Sequence, residues 1–118
     1  MMAEILLAHD SPFLRSLLTA ILECEHSIVA EVSNGIEAVE VYPDVHPDVA
    51  VLAMSMPISD GIEACSELRK LDPDARVVLC ANDGGSVDGD AREAGAAELL
   101  VSPFQHSGVL ASVDRAIE

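Results

Sequence analysis

Val49-Ala50-Val51-Leu52-Ala53-Met54-Ser55-Met56-Pro57-Ile58-Ser59-Asp60-Gly61-Ile62-Glu63 is the stretch whose reading decides the fold. Its first five residues are uniformly apolar. A strand with one wet face would alternate, so this run predicts a strand covered on both faces and placed centrally. Asp60-Gly61-Ile62-Glu63 then reads as a capped helix start. Ile62, Cys65 and Leu68 give that helix a buried stripe.

The same unit repeats in both directions. Ile5-Leu6-Leu7-Ala8 is a short buried strand that stops at His9-Asp10. Ser11-Pro12 supplies an N-cap and a proline at the first helical position. Leu14, Leu17, Leu18, Ile21 and Leu22 carry that helix to about Glu25. Ser27 to Val32 is the second strand. Asn34-Gly35-Ile36-Glu37 resembles a capping box, its helix runs to about Tyr42, and Pro43 and Pro47 bracket a turn. Arg76 to Ala81 and Ala96 to Val101 are the fourth and fifth strands. Val109, Leu110, Val113 and Ile117 mark a last helix. The fourth helix is the weak one, because Asn82 to Asp90 holds three glycines and three aspartates. A long mobile loop and a short helix near Asp90 to Ala94, ended by Gly95, are expected there. Neither the aspartate spacing nor a closing glutamate fits a calcium loop.

Composition narrows the function. With 118 residues, half of them apolar, the chain is the size of one domain over residues 1–118. Aromatics are limited to Phe13, Phe104 and Tyr42, so the core must be aliphatic. Twenty-one acids against six bases give a net charge of −15, and Lys70 is the only lysine. Such a surface repels nucleic acid. The acids are spread along the chain, as solvation or a high-salt cytoplasm would require, and they would also steer a basic partner. Cys24, Cys65 and Cys80 form no C-x-x-C pair, which argues against a disulfide framework or a structural zinc site. No apolar run reaches membrane-spanning length and the start lacks a signal-peptide pattern, so a cytoplasmic location is expected.

Five strand–helix repeats predict an α/β sandwich of three layers, with a parallel sheet joined by right-handed crossovers. In such sheets function gathers at the carboxyl ends of the strands. Those ends are His9-Asp10, Ala53, Cys80-Ala81 and Ser102-Pro103.

Several motifs at these ends resemble the receiver domain of response regulators, in its stand-alone chemotaxis (CheY-like) form. They are Asp10-Ser11-Pro12-Phe13, Ser33-Asn34-Gly35 with Glu37-Ala38, Met56-Pro57 followed by Asp60-Gly61, Ala94-Gly95-Ala96 and Ser102-Pro103-Phe104. Met56-Pro57 with Asp60-Gly61 is the most specific. The resemblance spans residues 3–118 and implies a (βα)5 fold with strand order 2-1-3-4-5. It also implies a cis Ser102–Pro103 bond and a place in two-component, phosphorelay signal transduction.

The family's chemistry moves a phosphoryl group from a phosphohistidine to an aspartate. That requires a carboxylate nucleophile, Mg²⁺ held by acids, and donors to the phosphoryl oxygens. At the positions the resemblance assigns, this chain departs. The acceptor is Ala53, the acidic pair is His9-Asp10, the hydroxyl residue is Cys80 and the lysine is Ser102. The switch aromatic is Leu99. The implied reading is a pseudo-receiver that is not an enzyme. It would have no cofactor, and Asp10 and the carbonyl of Ser55 would be the only remnant Mg²⁺ ligands. Its output would be protein–protein interaction independent of phosphorylation, through the face of the fourth helix, fifth strand and fifth helix. Arg92, Glu98, His106 and Arg115 are the candidate contacts there.

The same residues admit other roles. Asp10 fits a structural carboxylate at a helix start. His9 fits a partly exposed rim residue bonded to a neighbour, against a metal ligand with Asp10 and Cys80 or a covalent phosphoryl carrier. Cys80 fits an inert side chain against a redox sensor. Ser55 and Ser102 lack an adjacent base, and Asp60 is a cap. The alternative function is the receiver half of a longer transcriptional regulator.

Overall fold

The structure is a computed structural model that describes residues 2–81 and 87–118. Strands and helices alternate: β1 (Glu4–Ala8), α1 (Pro12–Leu22), β2 (Ser27–Val32), α2 (Gly35–Val45), β3 (Val49–Ala53), α3 (Gly61–Leu71), β4 (Val77–Ala81), α4 (Val87–Glu93), β5 (Glu98–Val101) and α5 (His106–Ile117). The five strands form one parallel sheet in the order β2-β1-β3-β4-β5. This is the flavodoxin- and CheY-like α/β fold. Every residue of β3 and β4 is buried, as continuous apolar runs in a sheet covered on both faces require.

Alternation along each strand divides the core. Leu6, Leu52, Val77 and Leu79 pack with α2, α3 and α4 on one face. Ile5, Leu7, Val51, Val78 and Leu100 pack with α1 and α5 on the other. Leu17, expected in the α1 stripe, is 37% exposed. β1 and β3 are pinned at their N-terminal ends by a reciprocal clasp. The Glu4 N–H donates to Asp48 Oδ2 at 2.8 Å, and the Asp48 N–H donates to the Glu4 carbonyl at 2.7 Å.

Three caps read from the sequence are formed. Ser11 Oγ, Asn34 Oδ1 and Asp60 Oδ1 accept from the N–H groups of Leu14, Glu37 and Glu63 at 3.3, 2.9 and 2.9 Å. The Glu37 carboxylate closes its box differently from expectation, accepting from the Ser33 N–H and the Asn34 amide.

Three helices differ from expectation. α1 stops at Leu22 rather than near Glu25. α2 does not end at Tyr42 but continues through Pro43 to Val45 and is capped by His46 at φ 46°. Pro43 removes one helical bond, yet Tyr42 is buried and its hydroxyl donates to Asp72 Oδ2 at 2.9 Å. That anchorage outweighs the local breaker. α4 starts at Val87 rather than near Asp90 and accommodates Gly89. The loop expected over residues 82–86 lies outside the described residues. Gly95, at φ 92°, ends α4 as expected: its N–H reaches the Arg92 carbonyl while the Ala96 N–H reaches that of Ala91. This is the glycine-terminated motif in which a left-handed residue satisfies the last carbonyls.

Candidate functional site

The ends of β1, β3, β4 and β5 meet in register. Ala8 lies beside Leu52, Ala53 beside Cys80, and Ala81 beside Val101. Backbone bonds extend the alignment past the strands, from the Met54 N–H to the Cys80 carbonyl and from the Ser102 N–H to that of Ala81, each at 2.8 Å. The loop after β3 folds back until the Gly61 N–H meets the Met54 carbonyl at 3.0 Å. A Cβ on Gly61 would lie 2.2 Å from the Ala53 carbonyl oxygen, so only glycine permits this approach. The Met-Pro and Asp-Gly pairs are therefore geometry: they bring the start of α3 against the end of β3.

The side chains gathered there are poor in charge. Ala53 is 3% exposed and offers a methyl group. Cys80 is buried, and burial pushes its thiol up to about 12, so it carries no appreciable thiolate at neutral pH. The redox reading of Cys80 loses its chemical basis.

His9 is buried rather than partly exposed. Its Nδ1 accepts the Ser11 N–H at 3.1 Å. Burial holds the imidazole below its ordinary value, against the pull of the neighbouring Asp10, with the Arg15 guanidinium adding to the lowering. With Nδ1 accepting, the ring is neutral and its proton sits on Nε2. The 3.5 Å approach of Asp10 Oδ1 to Nδ1 is therefore not an ion pair. The Arg15 guanidinium donates to the His9 carbonyl at 2.6 Å, a second backbone tie at this corner.

Asp10 is exposed, and its helix-start role falls to Ser11, the residue that caps α1. Ser55 is exposed in the loop after β3, and Ser102 is half-buried before the cis Ser102–Pro103 bond. One exposed carboxylate, one neutral ring and a serine carbonyl fall short of the oxygen-rich shell that Mg²⁺ demands. Among the described residues, ligating side chains gather in threes only at the opposite end of the sheet, at Glu25, His26 and Asp114. His9, Asp10 and Cys80 form no such group.

On the other proposed face, three of four residues come together. Arg92, Glu98 and Leu99 line a cleft of about 260 Å³ between α4 and β5, floored by Ala91, Ala96 and Ala97. Arg115 of α5 reaches Glu98, Nε to Oε1, at 2.7 Å. His106, the exposed first residue of α5, stands about 13 Å along the helix from Arg115 and is not part of this group. Leu99 is half-buried and packs on the core beneath α4.

The sequence reading missed two features. His26 is buried and ties the chain start to the segment before β2, with Nδ1 accepting the Ala3 N–H at 3.0 Å. Ile58 adopts φ 69° and stays 76% exposed. Neither leaves a periodic signal in the sequence.

The family model for the response regulator receiver domain matches residues 5–114. The chemotaxis protein CheY of Halobacterium salinarum is 40% identical over 114 residues, covering 96% of this chain and 95% of the relative. Among solved structures, a LuxR-family two-component response regulator from Aurantimonas superimposes with a TM-score of 0.93 at 27% identity, covering 99% of this chain and 86% of that one. A CheX–CheY–BeF3–Mg complex from Borrelia burgdorferi gives 0.89 at 30% identity, covering 93% and 85%.

Proposed function

Because the chain belongs to the response regulator receiver domain family, we propose that it is a signalling module whose output is independent of phosphoryl transfer at the strand ends. The observation that carries this reading is Ala53, a buried methyl group at the end of the central strand. A methyl group neither attacks phosphorus nor ligates a metal. Its neighbours agree: a neutral His9, a protonated Cys80 and an uncharged Ser102 supply neither Mg²⁺ binding nor cationic stabilisation of a phosphoryl group. Leu99 completes the pattern, because it lacks the aromatic ring that the family's switch moves.

Output then rests on protein–protein contact. The cleft edged by Arg92 and Glu98, with Arg115 reaching Glu98 from α5, is the proposed contact face, His106 lies further along α5, and a signalling protein is the proposed partner. The Borrelia structure, solved with CheX, is a precedent for such a complex in a relative. We place the module in the cytoplasm; no described helix is long and apolar enough to cross a membrane. The test is beryllium fluoride with Mg²⁺, followed by NMR. No shifts should appear at residues 9, 10, 53, 80 and 102, and acetyl phosphate should add no mass. A stoichiometric adduct at any of these residues overturns the reading.

A second reading, that this is the receiver half of a longer transcriptional regulator, has a precedent in the likeness to a LuxR-family response regulator. The downstream reading frame decides it.

A further inference from the structure

We propose that the groove between α2 and α3, with Ile58 at its mouth, docks a basic amphipathic segment of a partner protein, on a surface separate from the α4–β5–α5 face. The groove has a volume of about 280 Å³, and its apolar lining comes from Ile36, Val39 and Ile58. Ile36 is 48% exposed and Ile58 is 76% exposed, so both aliphatic side chains face solvent at one place. Scattered single apolar residues are ordinary, whereas a groove that gathers them is not.

Ile58 supplies the second observation. A β-branched residue at φ 69° is held in the left-handed region that favours glycine. The conformation is imposed from both sides. The Ser59 N–H reaches back to the Pro57 carbonyl at 2.7 Å, and the Ser59 carbonyl accepts the Gly35 N–H at 2.8 Å. Gly35 has no room for a side chain there, since its Cβ would lie 2.5 Å from the Ser59 oxygen. The loop is thus clamped onto the start of α2 with Ile58 pointing outward. Glycine at 58 would relieve the backbone without touching the core. What isoleucine adds at this position is apolar surface.

The rim decides the occupant. Glu40, Glu63 and Glu67 edge the groove. Lys70, exposed, approaches Glu67 at 3.4 Å. A second copy of this chain would bring an acidic surface to an acidic rim, at a net charge of −15 on each partner. An apolar anchor flanked by lysine or arginine meets both the floor and the rim.

The experiment uses the full chain and two fluorescein-labelled peptides of about 18 residues, long enough to hold a helix. Both contain the same leucines and lysines, one arranged with an apolar face and one scrambled. Fluorescence anisotropy should show the amphipathic peptide binding about tenfold tighter than the scrambled one. Its amide shifts should centre on residues 36, 39, 58 and 63. Ile58→Gly should lose that tenfold preference while raising the melting temperature, which a purely structural role for Ile58 would not produce. Ile36→Ser, which leaves the loop untouched, should lose the preference too and serves if the glycine variant misfolds. Glu63→Gln with Glu67→Gln should weaken binding and flatten its salt dependence. Equal binding of the two peptides, shifts centred elsewhere, or an unchanged preference in Ile58→Gly or Ile36→Ser would each overturn the proposal. Sedimentation showing self-association that Ile58→Gly abolishes would overturn it in favour of a second copy.

Discussion

Two buried histidines stand at opposite ends of the sheet, and their likeness is instructive. His9 closes the carboxyl end of β1, where the family's chemistry gathers; His26 lies at the amino end, beside α5. Each is less than a tenth exposed. Each gives its Nδ1 to a backbone N–H, from Ser11 in one case and Ala3 in the other. Each has a carboxylate nearby, Asp10 at 3.5 Å and Asp114 at 3.7 Å. A ring whose Nδ1 accepts holds its proton on Nε2, so neither ring presents a free nitrogen lone pair to a metal. At His26 this argues against reading Glu25, His26 and Asp114 as a cation site, since Nε2 would have to be the ligand. The residue at the family's reactive corner is therefore used as the remote one is, to hold backbone. What separates the ends is packing. At the carboxyl end two backbones touch at Gly61, whereas at the amino end one ring fills the space.

The sharpest way to break this comparison is at Gly61. Gly61→Ala forces a Cβ into the Ala53 carbonyl and is expected to cost about 3 kcal/mol in urea unfolding, or the fold itself. A smaller loss would mean that the loop after β3 can retreat from the strand end.

His26→Ala comes next. It opens a void and orphans the Ala3 N–H, for an expected loss of about 2 kcal/mol. His9→Ala, at the rim, should lose less. The reverse order in denaturant midpoints would show that the carboxyl end carries more of the stability.

A smaller effect is read by pH at His9. Burial lowers the His9 value first of all, opposed by Asp10 and aided by Arg15. The unfolded chain takes up a proton near the ordinary 6.5 while the folded chain resists it. The stability this neutral ring represents is present above 6.5 and is lost as pH falls toward the folded value. Thermal unfolding at about pH 7.5 and about pH 5.5 should show a shallower fall for His9→Gln than for the unaltered chain. Equal slopes would mean that His9 is solvated.

The smallest expected change serves as the control. Gly108→Ala on α5 meets nothing within 4 Å and should gain about 0.5 to 1 kcal/mol. A loss there would mean that α5 packs more tightly than its surface suggests.

How legible all this was in the sequence follows from where each signal originates. The strands were readable because a sheet buried on both faces leaves uninterrupted apolar runs. The caps at Ser11, Asn34 and Asp60 were readable because their bonds span three residues. Pro43 misled because its local cost was outweighed by the distant anchorage of Tyr42 on Asp72. His9 was expected to be partly exposed, since nothing local announces that Ser11 and Arg15 fold over it. The identities at the strand ends could be read directly, and they placed Ala53 and Cys80 at the rim. The contact of Glu98 with Arg115 and the left-handed backbone of Ile58 depend on tertiary placement. A linear pattern does not encode either.

The clasp between Glu4 and Asp48 has a kinetic consequence. It joins residues 44 apart in the chain. Two helices and a strand are enclosed between them, so β1 and β3 cannot meet until that whole excursion has closed. Loop-closure entropy is then charged before the central pairing returns anything. Folding should be slower than in a helical chain of this length. Asp48→Ala should reveal whether the clasp forms before or after the barrier, by slowing refolding in the first case and hastening unfolding in the second.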